Sequence, residues 1–182
     1  MKSQVWGPTI WYLIHSVAYG IEDDEYFLQH RDYYFKFYNS LKKIIPCPIC
    51  RSHFHKLMKK RDINNCKTKT DLICWTIEKH NKVNKNLGKK QFSIKESNNK
   101  YEKIELKNII KGLDIITYNN QRNLPINSYK MFFESLRVIF PIKSIRHLYE
   151  KGMKKNKIKV SNHHTLIQWY INLGRYIIKN IK

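Results

Sequence analysis

Glycine and proline are scarce, 6 and 5 of 182 residues. This excludes a collagen-like, low-complexity or loop-rich chain. Acidic side chains are few: 14 Asp and Glu stand against 35 Lys and Arg, for a net charge of +21. Such a field draws polyanions and acidic surfaces. It admits a nucleic-acid partner without requiring one, because the basic residues are spread along the chain instead of gathered into one stripe. A lysine-biased coding background, with its many Asn and Ile, accounts for the charge equally well. No apolar run approaches the ~20 residues of a membrane span. The stretch from Val5 to Ala18 follows Lys2 but contains Pro8 and His15 and lacks a small-residue cleavage site. It reads as the first helix of a soluble protein made without a cleaved leader. Cysteine is limited to Cys47, Cys50, Cys66 and Cys74. That is too few for a disulfide scaffold in a chain of this length, and points to redox chemistry or metal binding.

A hydrophobic share of 42% is enough for a core, and the length fits one domain with an extension. The periodicity is helical almost throughout, so the fold class is all-α. Ile10, Leu13, Ile14, Val17 and Ala18 follow the helical repeat, with Pro8 suited to the first turn. A second helix begins near the acidic cluster 22–25, shows an apolar face of Phe27, Tyr34, Phe37, Tyr38, Leu41 and Ile45, and ends before Pro46. A third starts at the Cys47-Pro48-Ile49-Cys50 turn and runs to about Lys59. Thr68 and Asp71 form a capping-box pattern for a fourth that reaches Leu87, with Gly88 as its left-handed cap. Residues 95–103 are polar and lysine-rich and read as a linker between a first unit, 1–94, and a basic helical region, 104–182. Helices are expected there over 104–116, 128–140, 142–150 and 165–181.

The chemistry concentrates in three places. Cys47 and Cys50 are three apart, so they can close a disulfide across one turn. A thiol at a helix N-terminus is held towards thiolate, the form that attacks disulfides. A thioredoxin would set this motif between a strand and a helix, whereas helical sequence lies on both sides here. A zinc site would need further ligands from His53, His55, Cys66, Cys74 or His80, whose spacings match no common finger. The second place is His80 and Asn84, four apart on one helix face, where a flat, polar-edged cofactor would satisfy them. A solvated helix end is the alternative. The third is Trp6, Trp11 and His15, which fit either a ring wall or plain core.

The order of these blocks is specific. Trp6-Gly7-Pro8-x-x-Trp11-x-x-x-His15, then Pro46-Cys47-x-x-Cys50-x-x-His53-Phe54, then Trp75-x4-His80-Asn81-x-Val83-Asn84-x-x-Leu87-Gly88-Lys89-x-x-Phe92 resembles the Erv/ALR family of FAD-linked sulfhydryl oxidases over about half the chain. The resemblance implies a four-helix bundle that holds FAD beside the dithiol, with a helical C-terminal extension. Substrate dithiols are oxidised to disulfides and oxygen is reduced to hydrogen peroxide. Cys50 matches the flavin-proximal thiol and Cys47 the interchange thiol. His15, His53, His80, Asn81, Val83 and Asn84 match cofactor-contacting positions. Trp6, Trp11, Trp75 and Phe92 match the walls, and Lys85 and Lys89 lie where positive charge would face the phosphates. No metal is implied. Expected partners are thiol-containing substrate proteins, including a dithiol relay protein, together with oxygen and a second copy in a homodimer. Large DNA viruses carry members, which would place the chain in host cytoplasm or virion.

The chain also departs from the family pattern. A structural cysteine pair found in many members is replaced by Ile77 and Ile94, so packing alone is expected to hold that helix end. No cysteine follows Cys74 or precedes Cys47, so no tail shuttle exists. Cys66 and Cys74 could pair or remain two thiols. The C-terminal region, with Trp169, Tyr170 and Arg175, reads as a packing extension or as a basic docking surface.

Overall fold

The structure, a computed structural model, describes residues 3–60, 62–119 and 124–181, with side chains described from Trp6 onward and Lys60 excepted. Among the described residues there are α-helices and one 3₁₀ turn, and no strand. In chain order the helices are α1 (Ser3–Tyr19), α2 (Asp24–Ile44), α3 (Pro48–Lys60), α4 (Lys69–Asn86), α5 (Ile94–Tyr101), α6 (Leu106–Thr117), α7 (Ile126–Ile139), α8 (Lys143–Lys155) and α9 (His163–Asn180).

Local signals set the helix ends. Asp23 caps α2 by accepting the Tyr26 N–H at 2.7 Å. Asp24 and Glu25 sit in its first turn and Lys42 and Lys43 in its last, each complementing the helix dipole. Thr68 and Asp71 form the expected capping box on α4, a feature worth roughly 1 kcal/mol. Gly88 takes φ of 64°. The Lys89 and Gly88 N–H groups then bond back to the Asn84 and Lys85 carbonyls at 2.8 and 3.2 Å, the paired closure of a Schellman motif.

Two expectations are corrected. Pro8 lies inside α1, not in its first turn. Residues 95–103 are not a free linker: Ser93 and Glu96 form a second capping box, and α5 follows, ending on the buried Tyr101. The helix forms because Ser97 and Tyr101, four apart, give it a buried edge.

Helices α6 and α7 pack on the first helices through large side chains. α7 lies along α2, with Phe37 and Phe132 stacked at 5.0 Å. α6 lies along α1, where Gly112 lets the helices close on Leu13: an added Cβ would sit 3.1 Å from it. Each fully buried Phe or Leu contributes roughly 1.5–3 kcal/mol, so these contacts bind the two halves into one core. A polar seam joins them as well. Arg146 of α8 donates to Glu22 at 2.7 Å, to the Phe140 carbonyl at 2.9 Å and to the Gly20 carbonyl at 3.2 Å. Lys143 also bonds Glu22. Trp169 and Tyr170 serve packing: Trp169 meets Phe133 edge-on at 4.9 Å, and the Tyr170 hydroxyl donates to Asp114 at 2.8 Å.

Candidate functional site: a dithiol beside an aromatic chamber

The dithiol is built by the start of α3. Pro48 occupies the first helical position, where a missing N–H costs nothing. Cys47 precedes it and acts as the cap: its Sγ accepts the Cys50 N–H at 3.2 Å, as a serine oxygen would. Arg51 donates to the carbonyls of Ile45 and Pro46 at 2.7 and 3.3 Å. It thereby ties the turn that ends α2 to the turn that starts α3. Burial alone would raise the Cys47 thiol pKa. Bonds from the Cys50 thiol and the Cys50 and Ile49 amides, with the Arg51 charge, outweigh it and hold the thiol below its ordinary value. Cys50 is pushed up to about 12, by burial first and then by its bond to Cys47. Of the reduced pair, Cys47 is therefore the thiol held towards thiolate, and Cys50 the one that holds its proton more firmly. Both sulfurs are half-buried, and Ile49 between them is 68% exposed.

One turn beyond Cys50, Phe54 is buried and meets Trp11 of α1 edge-on at 6.4 Å. Trp11 begins a ring chamber between α1, α4 and α5 that its own packed rings fill. The His80 ring lies parallel to Trp11 at 4.3 Å. His15 lies 5.1 Å from His80, 5.8 Å from Phe92 and 5.2 Å from Tyr101. His15 Nε2 bonds His80 Nδ1 at 2.9 Å, and His15 Nδ1 bonds Thr76 Oγ1 at 2.9 Å. Burial drives His15 well below its ordinary pKa, with His80 and Lys100 adding to the effect. Burial, then Lys100 and Lys89, lowers His80 to about 4. Both rings are therefore neutral at pH 7.

Beside the chamber runs a cleft of about 410 Å³, lined among others by Leu57, Asn81, Lys82, Lys85 and Gln91. Its lysines suit phosphate. The stretch after α4 is fastened by side-chain clamps. Asn81 donates to the Phe92 carbonyl at 2.8 Å and accepts the Phe92 N–H at 2.7 Å. Asn84 donates to the Lys90 carbonyl at 3.1 Å. Packing alone was expected to hold this end; hydrogen bonds do much of it. Ile77 is buried, whereas Ile94 is 48% exposed.

Of the residues singled out in the sequence, Trp11, His15, His80 and Phe92 come together in the chamber, and Lys85 lines the cleft. Trp6 is buried on α1 with its indole N–H unpartnered. Trp75 packs edge-on against Tyr38 of α2 at 5.3 Å. Val83 is half-buried on α4, and Lys89 is exposed beyond it. His53 is exposed. The buried stripe of α3 passes through Phe54, Leu57 and Met58, one step away from His53. Cys66 and Cys74 form no disulfide: Cys66 is buried at the end of the 3₁₀ turn, and Cys74 is half-buried on α4. No group of three His, Cys, Asp or Glu side chains among the described residues is placed to hold a metal. Sequence reading missed Thr76, although it sits four residues before His80 on the same face. It also missed Tyr101, hidden in the supposed linker behind the Ser93–Glu96 capping signature.

A flat ring system carrying two phosphates fits this set. The walls are aromatic, the indole N–H of Trp6 on α1 is buried and unpartnered, and lysines line the adjoining cleft. The helical fold and this site define an all-helical protein with a Cys-x-x-Cys turn beside a cluster of aromatic rings.

Comparison with known proteins agrees. Residues 8–103 match the model of the Erv1/Alr family, and the chain belongs to that family. It is 31% identical over 107 residues to a probable FAD-linked sulfhydryl oxidase of Acanthamoeba polyphaga mimivirus, covering 57% of this chain and 73% of the relative. It is 33% identical over 109 residues to an FAD-linked sulfhydryl oxidase of African swine fever virus, covering 59% and 88%. A rice FAD-linked sulfhydryl oxidase is 26% identical over 99 residues, covering 54% and 50%. No solved structure matches.

Proposed function

We propose that this protein is an FAD-dependent thiol oxidase whose working dithiol is Cys47–Cys50. The observation that carries the proposal is the placement of the dithiol on α3: Phe54, one turn from Cys50, touches Trp11 of the ring chamber. Family membership and the activity in the relatives' names supply the reaction class.

Trp11, His15, His80 and Phe92 would hold the cofactor's rings, and Lys82 and Lys85 its phosphates. When bound, FAD supplies the acceptor for two electrons and passes them to oxygen, giving hydrogen peroxide. The chain's own work is thiol exchange. A substrate thiolate attacks Cys47 Sγ of the oxidised pair, forms a mixed disulfide and displaces Cys50 sulfur. A second substrate thiol attacks the mixed disulfide, leaves as a disulfide with the first and returns Cys47 as thiolate. Cys47 suits this exchange because its lowered pKa makes it a good leaving group. Cys50 keeps the pair's proton until the pair is oxidised again.

Proteins bearing paired thiols as substrates, a two-copy assembly and a viral source belong to this proposal. So does the division into a cofactor-binding unit, residues 1–94, and a helical region that braces it. No helix among the described residues is long and apolar enough to cross a membrane. The test is the visible spectrum of the purified protein in a sealed cuvette. A flavin band that bleaches with dithiothreitol and returns in air is expected. A protein that stays colourless after incubation with FAD would end the proposal.

A further inference from the structure

The chamber contains a hydrogen-bond relay whose proton positions follow from geometry. Thr76 Oγ1 lies 2.8 Å from the Ile73 carbonyl oxygen and 2.9 Å from His15 Nδ1. A carbonyl oxygen only accepts, so the Thr76 hydroxyl proton is committed to Ile73. Were it turned to His15, two oxygens would face each other at 2.8 Å in a buried site without a proton between them. Thr76 therefore accepts from His15, and His15 carries its proton on Nδ1. A neutral imidazole has one N–H, so His15 Nε2 is a bare acceptor. The 2.9 Å bond to His80 is then donated by His80 Nδ1. His80 is neutral too, which leaves its own Nε2 without a proton. No described residue donates to that nitrogen, and His80 is only half-buried.

We propose that Thr76, acting through His15, fixes His80 as the Nδ1–H tautomer and so makes His80 Nε2 an obligate acceptor at the chamber, placed to take an N–H or O–H group of the bound flavin dinucleotide. The ligand half of this inference rests on the reading of the chamber as an FAD site; the tautomer half does not. Thr76 is a positioning residue. It touches no ligand, yet it decides which ligand edge the chamber welcomes. A group that can only accept would meet a lone pair and be refused, and a donor would be held.

The test is a long-range ¹H–¹⁵N correlation spectrum of the full-length ¹⁵N-labelled protein at pH 7.5, with and without FAD. His15 and His80 are both expected as Nδ1–H tautomers in each state. In Thr76→Val the relay loses its anchor. His80 should then shift towards Nε2–H, and FAD affinity should fall about tenfold, the scale of one buried hydrogen bond. Thr76→Ser keeps the hydroxyl and should restore both. A wild-type His80 protonated on Nε2 would overturn the proposal, and that spectrum decides even if the valine variant does not fold. Wild-type tautomers and affinity in a folded Thr76→Val protein would overturn it as well. A chain that shows the expected tautomers but never takes FAD would sink the ligand half and the functional reading, while leaving the relay intact.

Discussion

The His80 imidazole lies flat on the Trp11 indole, with planes 3° apart and centroids 4.3 Å apart. One ring comes from α4 and the other from α1, so the stack links the two helices that carry the site. It also buries a base that must stay neutral. His80 is lowered to about 4 in the folded chain, against an unfolded value near 6.5. Between these values the unfolded chain binds the extra proton, so stability rises with pH. Cofactor-free protein should therefore lose on the order of 2–3 kcal/mol from His80 as pH falls from 6.5 to 4, and more with His15. Urea titrations across that window measure the loss. An unchanged midpoint would refute the burial of a neutral pair.

Cys47→Ser and Cys50→Ser should each abolish dithiol oxidation while leaving flavin bound. The walls of the chamber come from α1, α4 and the stretch after it, whereas Cys47 caps α3 and Cys50 lies in its first turn. Oxygen consumption with dithiothreitol reads the activity, and the flavin-to-protein absorbance ratio reads the binding. Near-normal turnover in either variant would remove the dithiol from the mechanism.

Arg51→Gln should raise the Cys47 pKa, because it removes a charge and slackens the turn held through Ile45 and Pro46. Alkylation of the reduced protein by iodoacetamide at pH 7 should slow by roughly threefold, with the pH midpoint moved upward. Arg51→Lys keeps the charge but not the fork, and should fall between. An alkylation profile identical to wild type would deny Arg51 this role.

Asn81→Ala should cost about 2 kcal/mol, since it cuts both bonds to the Phe92 backbone. Hydrogen exchange at the Phe92 amide should accelerate selectively. Continued protection of that amide would mean that another group holds the segment.

Gly20→Ala should be severe. An added Cβ would lie 2.4 Å from the Pro141 Cα and carbonyl oxygen, and overpacking against backbone costs about 3 kcal/mol or more. Gly174→Ala is the contrast. It points into open space within α9 and should be neutral or gain up to about 1 kcal/mol. Equal melting temperatures for the two variants would contradict the close approach.

Much of this was legible in the sequence, for identifiable reasons. The α4 boundaries follow from Thr68, Asp71 and Gly88, whose effects are local. The dithiol turn follows from Pro48 at a helix start. His15 and His80 belong to the chamber, but their bond joins residues 65 apart, and no local pattern shows such a contact. α5 was hidden by its charge, because only Ser97 and Tyr101 face inward among polar neighbours. That His53 would lie outside the buried stripe of α3 was not legible, because position in a motif does not say which side of a helix faces the core.

Gly20 against Pro141, and Arg146 reaching back to Glu22, have a consequence for synthesis on the ribosome. The segment that matches the family model ends at residue 103, but the partner of Phe37 on α2 is Phe132. The matched segment therefore leaves the exit tunnel with an aromatic face of α2 still uncovered until α7 follows. That face is completed by the second half of its own chain.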